Sequence, residues 1–262
     1  MPELPEVEYI RRLLRPAMQG ARIERLLVRR PKLRYAFAPD FAARVEGQVV
    51  RAVRRRAKYL LVELGSGDLL LMHLGMSGWF RVTRGEPDLE THDHVVFEMS
   101  SGKTVVFTDP RRFGFMQLVD GAPPMLGPEP LDRAFDAATL AAALARRKTT
   151  LKAALLDQRV VAGLGNIYVC EALHRAALSP KRKASTVATR GGGPTAKAEA
   201  LVLAIKATLR EAIANHHRVS GDDRFLVYDR EGERCPRRGC RGTVTRIVQG
   251  GRSTFYCPAC QR

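Results

Sequence analysis

The amino-acid sequence predicts an α+β protein, with an N-terminal β-sandwich and a packed helix, followed by a helical domain that carries a cysteine-rich module. Three observations support this prediction. Short apolar runs separated by turn residues fill the chain between residues 23 and 119, as expected for short strands. Stretches dominated by Ala, Leu, Lys and Glu follow, and these residues favour helices. Four of the five cysteines lie after residue 234.

The N-terminal region is predicted to contain one helix and eight strands. Apolar residues recur at helical spacing from Val7 to Leu14, which predicts a helix over residues 5–15. Pro16 and Gly20 are expected to end it. The strands are RIERLLV, QVVRAV, KYLLVEL, DLLLMHL, GWFRV, DHVVFEM, KTVVFTD and FGFMQLV, separated by turns such as GSGD and SSGK. Their apolar faces need a second layer, so we expect a sandwich or flattened barrel.

The segment GAPPMLGPEPL is rich in Pro and Gly and predicts a linker. Helical segments follow it: FDAATLAAALARR, TTLKAALLDQ, NIYVCEALHRAAL and TAKAEALVLAIKATLREAIANHH. We therefore divide the chain into an N-terminal domain over residues 1–120, a linker over 121–130, a helical domain over 131–228 and a cysteine-rich module over 229–262.

The charge of the chain points to a polyanionic partner. Lys and Arg number 44 against 27 Asp and Glu, which gives a formal charge of +17. Nucleic acid is the usual partner of so basic a domain, although a GC-rich genome that favours Arg codons or a ribosome-associated role would give a similar balance. Apolar runs are strand-sized rather than membrane-spanning, and no export signal is visible. We expect a cytoplasmic protein.

The cysteine-rich module has the spacing of a zinc ribbon. CPRRGC and CPAC each form a tight turn, and the 16 residues between them contain a predicted β-hairpin with Gly250 and Gly251 at its turn. Two such pairs can bind one structural zinc ion tetrahedrally. Four unpaired thiols or two disulfides are the alternatives, and a reducing compartment, which the lack of an export signal indicates, argues against the disulfides. No organic cofactor is expected. The predicted ligands are Cys235, Cys240, Cys257 and Cys260.

Two further features suggest contacts with a phosphate backbone. The turn AGLGN lies between two helices, and a helix that begins near Asn166 would direct backbone amides toward an anion. Arg252 is predicted at the hairpin tip, where a guanidinium can bind a phosphate through two hydrogen bonds. Taken alone, a turn of this kind is common, and an arginine at a hairpin tip is more often simply solvated.

Five separated stretches, in the same order, resemble the formamidopyrimidine-DNA glycosylase and endonuclease VIII family of base-excision repair enzymes. They are MPELPEVE, HLGMSG, TDPRRFG, AGLGNIY and QGGRSTFYCPACQ. The PELPE form resembles the formamidopyrimidine (MutM) branch. The resemblance implies a helix–two-turn–helix domain with a zinc ribbon, a damaged-DNA substrate, a monomer associated with the bacterial nucleoid, and a bifunctional glycosylase and abasic-site lyase.

The resemblance also implies the catalytic residues. Removal of Met1 would leave Pro2 with a free secondary amine that forms a Schiff base with the sugar of a damaged nucleotide. Glu3 would act as general acid, and Lys58 would contact phosphate near the lesion. Elimination from the iminium would then cut the strand on both sides.

The remaining implied site residues bind DNA in two ways. One group would bind phosphates so that the target nucleotide rotates out of the duplex, and the other would fill the gap left in the base stack. The phosphate-binding group is His73, Asn166 and Arg252. The gap-filling group is Met76, Arg111 and Phe113, with Arg111 chosen over Arg112 because alternate strand residues share a face.

Two departures from the family pattern affect the function. The first cysteine pair is Cys-x4-Cys, where bacterial relatives usually show Cys-x2-Cys. The segment ANHHRVSGDDRFLVYDREGERC looks too short for the family's lesion-capping loop. This leaves open an endonuclease VIII-like preference for oxidised pyrimidines, a preference for abasic sites, or a zinc-ribbon protein that binds damaged DNA without cutting it.

A few other residues invite a functional reading that the sequence does not favour. Cys170 lies on an apolar helical face and is predicted to belong to the core. Asp109 is expected to anchor a turn. His92 and His94 are expected on the surface rather than at a metal, and the adjacent His216 and His217 are expected to cap a helix end.

Overall fold

The computed structural model describes residues 2–120, 124–215 and 225–262. The chain falls into two compact units, Met1–Pro124 and Met125–Arg262. Within the described ranges, no helix combines the length and apolar character needed to cross a bilayer. His216, His217 and the rest of residues 216–224, which belong to the segment predicted to be shortened, lie outside the described residues.

In residues 2–120 and 124, the described part of the first unit, the strands form two four-stranded antiparallel sheets, ordered β1-β6-β7-β5 and β2-β3-β4-β8. All eight predicted strands are present, and a short helix, α2, that the sequence did not predict lies between the first two. The elements are α1 (Leu4–Met18), β1 (Ile23–Val28), α2 (Phe41–Val45), β2 (Val50–Arg56), β3 (Tyr59–Leu64), β4 (Leu69–His73), β5 (Trp79–Arg84), β6 (Asp93–Met99), β7 (Lys103–Thr108) and β8 (Phe115–Val119).

One apolar core holds this unit together. Residues from both sheets and from α1 share it, among them Ile10, Val62 and Phe97, so the predicted sandwich with a packed helix is confirmed. The predicted end of α1 is wrong, because the helix continues through Pro16 to Met18. Ala17 and Met18 are buried, and their packing outweighs the backbone hydrogen bond that proline removes.

The described residues of the second unit form four α-helices, a short 3-10 helix and a β-hairpin. They are α3 (Ala137–Leu144), α4 (Leu151–Leu156), α5 (Asn166–Arg175), the 3-10 helix (Ala184–Val187), α6 (Ala196–Asn215), β9 (Thr245–Gln249) and β10 (Arg252–Tyr256). Side-chain caps explain two helix starts: Asp136 accepts from Thr139 N at 2.8 Å, and Thr150 accepts from Ala153 N at 3.3 Å. The predicted hairpin is present, with Arg252 paired to Gln249 across the turn.

Candidate active site and DNA-binding surface

Pro2 and Glu3 lie at the start of α1. Glu3 is the N-cap residue and is fully buried. Its backbone amide donates to Glu6 Oε2 at 2.9 Å, and its carbonyl accepts from Val7 N at 3.1 Å as the helix begins. Because the N-terminus of a helix favours negative charge, a carboxylate can be kept there without solvent. A group able to carry a proton is thereby buried on the residue that directly follows Pro2.

An arginine joins α1 to the turn between β2 and β3, where Lys58 lies. Arg55 Nε is 3.3 Å from Glu8 Oε2, and Arg55 Nη1 donates to Ala57 O at 2.9 Å. Ala57 has φ 53°, the left-handed conformation that reverses the chain before Lys58. Burial works against ionisation of Glu8, but hydrogen bonds and charge from Arg11 and neighbouring arginines hold its pKa below the ordinary value.

His73 ends β4 and packs into an aromatic row on one face of its sheet. Tyr59 and Phe115 are its register partners on β3 and β8. The rings of His73 and Phe115 are stacked with centroids 5.5 Å apart, and the Tyr59 ring centroid lies 5.1 Å from that of His73. Since strands on both sides fix its position, the imidazole is held in a defined orientation.

The protonation state of His73 follows from its surroundings. Burial, with the positive charges of Lys58 and Arg34, lowers its pKa to about 4, so the ring is neutral at pH 7. Gly75 N donates to His73 Nδ1 at 2.9 Å. The single ring proton therefore lies on Nε2, and His73 can offer one N–H to a ligand.

Two loops approach each other closely beside His73: the 74–78 loop, which carries Met76, and the 109–114 loop, which carries Phe113. A Cβ atom on Gly75 would lie 2.3 Å from the Phe113 carbonyl carbon, so only glycine allows this approach. Met76 and Phe113 are 40% and 43% exposed. Two closely packed loops thus expose large apolar side chains to solvent, as insertion into a stack of nucleobases requires.

Asp109 holds the two loops together. Its side chain is fully buried, accepts from Ser77 Oγ at 2.5 Å and accepts from Gly114 N at 2.8 Å. The Asp109 carbonyl lies 2.9 Å from His94 Nε2. The prediction that His94 lies on the surface is wrong, because this contact buries it. Arg111 N donates to Ser77 Oγ at 3.2 Å, so the same cluster also positions Arg111.

Arg111 and Phe113 lie on one side of their loop, as their spacing predicts. The Arg111 guanidinium carbon lies 4.9 Å from the centre of the Phe113 ring. Arg112 has φ 54°, in the left-handed region. It joins Met76 and His73 around an open cavity of about 540 Å³. The cavity is lined by Leu33, Arg34, His73, Gly75, Met76, Arg112 and Phe113.

In the second unit, Asn166 contacts Ser253, the residue that follows Arg252. Asn166 is the first residue of α5, and its Nδ2 donates to Ser253 O at 2.9 Å. Lys152, which is fully buried, donates to the same carbonyl at 3.1 Å and to Thr254 Oγ1 at 2.5 Å. Arg252 is exposed. A buried ammonium group therefore fixes the strand that presents Arg252.

The four predicted ligands form a metal site. The sulfur atoms of Cys235, Cys240, Cys257 and Cys260 all lie within 4.8 Å of one another. Two of the separations are 3.8 and 3.7 Å, close to the ~3.8 Å edge of a tetrahedron with Zn–S bonds of ~2.3 Å. These residues fit a zinc ion, and four thiolates leave no coordination position for a substrate. The zinc is structural.

Three family models match the chain. The formamidopyrimidine-DNA glycosylase N-terminal domain matches residues 1–116, and the formamidopyrimidine-DNA glycosylase H2TH domain matches residues 126–222. The zinc finger found in FPG and IleRS matches residues 232–262. The chain belongs to the formamidopyrimidine-DNA glycosylase family. It is a DNA glycosylase of base-excision repair, as the sequence motifs predict.

Curated relatives and solved structures agree with this assignment. The formamidopyrimidine-DNA glycosylases of Rhodopseudomonas palustris strain HaA2 and Bradyrhizobium sp. strain BTAi1 are 59% identical over 292 residues and 58% identical over 294, with each pair of chains fully covered. The Lactococcus lactis enzyme bound non-covalently to DNA containing an AP site is 30% identical, with TM-score 0.89 and full coverage of both chains. MutM in complex with DNA containing carbocyclic 8-oxo-G is 32% identical, with TM-score 0.88 and full coverage of both.

Sequence reasoning missed two buried charged residues that shape the second unit of this glycosylase. Lys152 occupies an apolar position of α4, between the buried Leu151 and Ala154. The Glu171 carboxylate of α5 accepts backbone amides from residues 226–228, and its burial raises its pKa. Each side chain interrupts an apolar helical face, and that interruption was the available signal. Cys170, by contrast, is buried as predicted.

Proposed function

We propose that Pro2, once Met1 is removed, is the nucleophile of a bifunctional DNA glycosylase and abasic-site lyase. The observation that carries this proposal is the fully buried Glu3 at the N-cap of α1, next to residue 2. A free α-amino group has a pKa of about 7.7–8.0, so a usable neutral fraction exists near pH 7. The buried carboxyl of Glu3 serves as the proton donor and acceptor beside that amine.

The reaction begins with attack of the Pro2 nitrogen on C1′ of the damaged nucleotide. The glycosidic bond breaks, and the base leaves with the proton that the Pro2 nitrogen gives up. The C1′–O4′ bond then breaks as the nitrogen lone pair forms the iminium, and Glu3 gives a proton to O4′. The resulting iminium withdraws electrons, which acidifies the sugar hydrogen at C2′. Loss of that proton expels the 3′ phosphate, and a second elimination expels the 5′ phosphate.

The DNA contacts divide between the two units. In the first, Lys58 and the Nε2–H of His73 bind phosphate, because His73 is neutral and its Nδ1 is already an acceptor for Gly75 N. In the second, Asn166 and Arg252 bind phosphate from the α5 start and the hairpin tip. Met76, Arg111 and Phe113 fill the gap left by the flipped nucleotide.

The substrate class we propose is ring-opened purine, with formamidopyrimidine as the representative lesion. The curated relatives carry this substrate in their name, and the alignments extend over 292 residues or more, whereas this chain has 262. The relatives therefore contain at least one segment that the chain lacks. A shortened loop after α6 would remove contacts to 8-oxoguanine, because flipped bases are selected by pocket contacts. The same observation favours oxidised pyrimidine as the second candidate substrate.

Borohydride trapping tests the nucleophile. Wild-type protein and duplex DNA with one abasic site should give a covalent complex, and mass spectrometry should place the adduct on Pro2 of a chain without Met1. Pro2→Gly should trap poorly, and Glu3→Gln should slow base release more than it slows nicking of a preformed abasic site. Full strand scission by a chain that retains Met1 would overturn the proposed chemistry.

A substrate panel tests the lesion preference. Matched duplexes with formamidopyrimidine, 8-oxoguanine, thymine glycol or an abasic site should be cut fastest at formamidopyrimidine and slowly at 8-oxoguanine. Fastest excision of thymine glycol would favour the second candidate, and binding without nicking of any duplex would mark a non-catalytic damage-binding protein. The acting unit is one chain per lesion, which light scattering of the DNA complex should confirm.

A further inference from the structure

The zinc site has an outer layer of hydrogen-bond donors that its four cysteines do not themselves supply. Gly242 N donates to Cys240 Sγ at 3.4 Å, as expected within a zinc turn. The second donor comes from the helical part of the unit: His174, in the last turn of α5, has its Nε2 3.3 Å from Cys235 Sγ. His174 is buried and is distant in sequence from the cysteine pairs.

The tautomer of His174 follows from which of its ring nitrogens has a partner. Nδ1 is buried and makes no hydrogen bond to any described residue. A buried N–H without an acceptor is costly, so the single proton belongs on Nε2, where it points at the sulfur. His174 also lies outside the group of atoms that approach one another within 4.8 Å. It is therefore a donor to a ligand, not a fifth ligand.

The long turn between the first two cysteines contacts the same end of α5. Arg237 lies inside the Cys-x4-Cys turn, and its guanidinium donates to the main-chain carbonyls of His174 and Arg175. The last carbonyls of a helix lack partners within the helix and attract positive charge. The turn thus supplies an arginine cap to α5, while α5 supplies an N–H to the metal site.

We propose that His174 is a positioning residue for the zinc site, which donates Nε2–H to the Cys235 thiolate, and that Arg237 fixes the helix end that carries it. A hydrogen bond to a thiolate withdraws electron density from sulfur and orients the ligand, so it strengthens metal retention. Together, the contacts of His174 and of Arg237 in the Cys-x4-Cys turn connect the zinc ribbon to α5, the helix whose first residue is Asn166.

Two variants of His174 test the hydrogen bond. His174→Phe keeps an aromatic ring but removes the N–H, and His174→Gln keeps a side-chain N–H. In competition with a chromogenic chelator, His174→Phe should bind zinc at least about tenfold more weakly than wild type. In the cobalt-substituted proteins, the thiolate-to-cobalt charge-transfer band of His174→Phe should move to longer wavelength, because the sulfur loses a donor. His174→Gln should restore both properties toward wild type.

Two controls separate this bond from packing. Arg237→Met removes the helix cap but no donor to sulfur, so it should weaken zinc retention without moving the cobalt band. Glu211→Gln breaks an exposed ion pair between Glu211 of α6 and Arg175, the neighbour of His174 on α5. This variant should change neither zinc affinity nor the cobalt band. An unmoved cobalt band in His174→Phe overturns the proposal, even if zinc is lost faster, and so does unchanged zinc affinity in that variant.

Discussion

The loop that carries Arg111 and the hairpin that carries Arg252 both present an arginine to solvent. A buried acidic side chain positions the loop, whereas a buried basic side chain positions the hairpin. In the first unit, the 74–78 and 109–114 loops are joined around the buried carboxylate of Asp109. In the second, the strand that carries Arg252 is fixed by the buried ammonium group of Lys152 and by the zinc site, whose Cys257 directly follows β10. A carboxylate gathers backbone and hydroxyl donors, whereas an ammonium group gathers carbonyl and hydroxyl acceptors.

The difference lies in how far each support reaches. Asp109 stabilises its own loop and one neighbouring loop of the sandwich, which has a large apolar core of its own. The hairpin packs on a small apolar cluster that contains Cys170, Val244 and Phe255. Because a small cluster supplies little stabilisation, the hairpin depends on its metal. Loss of Asp109 should therefore disorder only the 74–78 and 109–114 loops, whereas loss of zinc should unfold the whole hairpin.

Removal of zinc should have the largest effect. Structural zinc sites contribute about 10–16 kcal/mol of binding free energy, more than a ribbon of this size gains from its apolar contacts. Cys257→Ala, or chelation of the wild type, should abolish amide protection across β9 and β10 and abolish DNA binding. Amide protection in β6 and β7 should survive.

The matched control is Cys170→Ala, which removes a buried thiol outside the metal site. It should keep zinc and hairpin protection, with only the stability loss of a small core truncation. Continued protection of β9 and β10 in zinc-free protein would mean that the two regions do not differ as described.

Loss of the Asp109 carboxylate should have the next largest effect. Asp109→Ala leaves Gly114 N and Ser77 Oγ without their acceptor, which should lower the free energy of unfolding by about 3 kcal/mol. Asp109→Asn retains one acceptor oxygen and should lower it by less. Urea denaturation gives both values, and Asp88→Ala, at an exposed position, is the control. Equal losses for Asp109→Ala and Asp88→Ala would contradict the role assigned to this carboxylate.

The sequence predicted what depends on periodicity and spacing. Alternation and turn residues predicted all eight strands of the sandwich, because each strand must show one face to the core. The two cysteine pairs predicted zinc, because ligand spacing is part of the chemistry. The spacing of Arg111 and Phe113 predicted that they share a side, and the guanidinium lies over the ring.

The sequence did not predict contacts between distant positions. Nothing local in α4 indicates that Lys152 meets Ser253 and Thr254, and nothing near His94 indicates the carbonyl of Asp109. Pro16 was expected to end α1, but the burial of Met18 is a tertiary effect that no local rule contains. The tautomer of His73 likewise depends on the Gly75 amide and on burial in the fold.

The pH dependence of stability should show how His73 is held. Its folded pKa of about 4 lies below the ordinary 6.5, so the unfolded chain binds more protons between these values. The stabilisation is complete above pH 6.5 and is lost as the pH falls toward 4. Between pH 7 and pH 5, wild type should lose about 2 kcal/mol more unfolding free energy than His73→Gln.

Both proteins are compared at each pH, so the other titrating groups cancel in the difference. A second variant, His92→Gln, changes an exposed histidine and should keep the wild-type profile. Parallel curves for wild type and His73→Gln would mean that His73 titrates near its ordinary pKa, which would also remove the reason for placing its proton on Nε2.

The smallest expected effects are on DNA binding, and they should distinguish Arg252, as a phosphate contact, from Arg111, as a base contact. If Arg252 binds one phosphate as proposed, Arg252→Ala should reduce the slope of log affinity against log salt by about 0.9 in magnitude, with equal loss of affinity on all duplexes. Arg111→Ala should leave that slope nearly unchanged but reduce discrimination between bases opposite the lesion, because we propose that Arg111 contacts a base edge rather than a phosphate. Arg241→Ala, an exposed arginine of the second unit, is the control and should leave both quantities near wild type. A lower salt slope in Arg111→Ala would mean that the 109–114 loop binds the DNA backbone. Lost base discrimination in Arg252→Ala would mean that the hairpin contacts bases. Either result would reverse the roles proposed for the two regions.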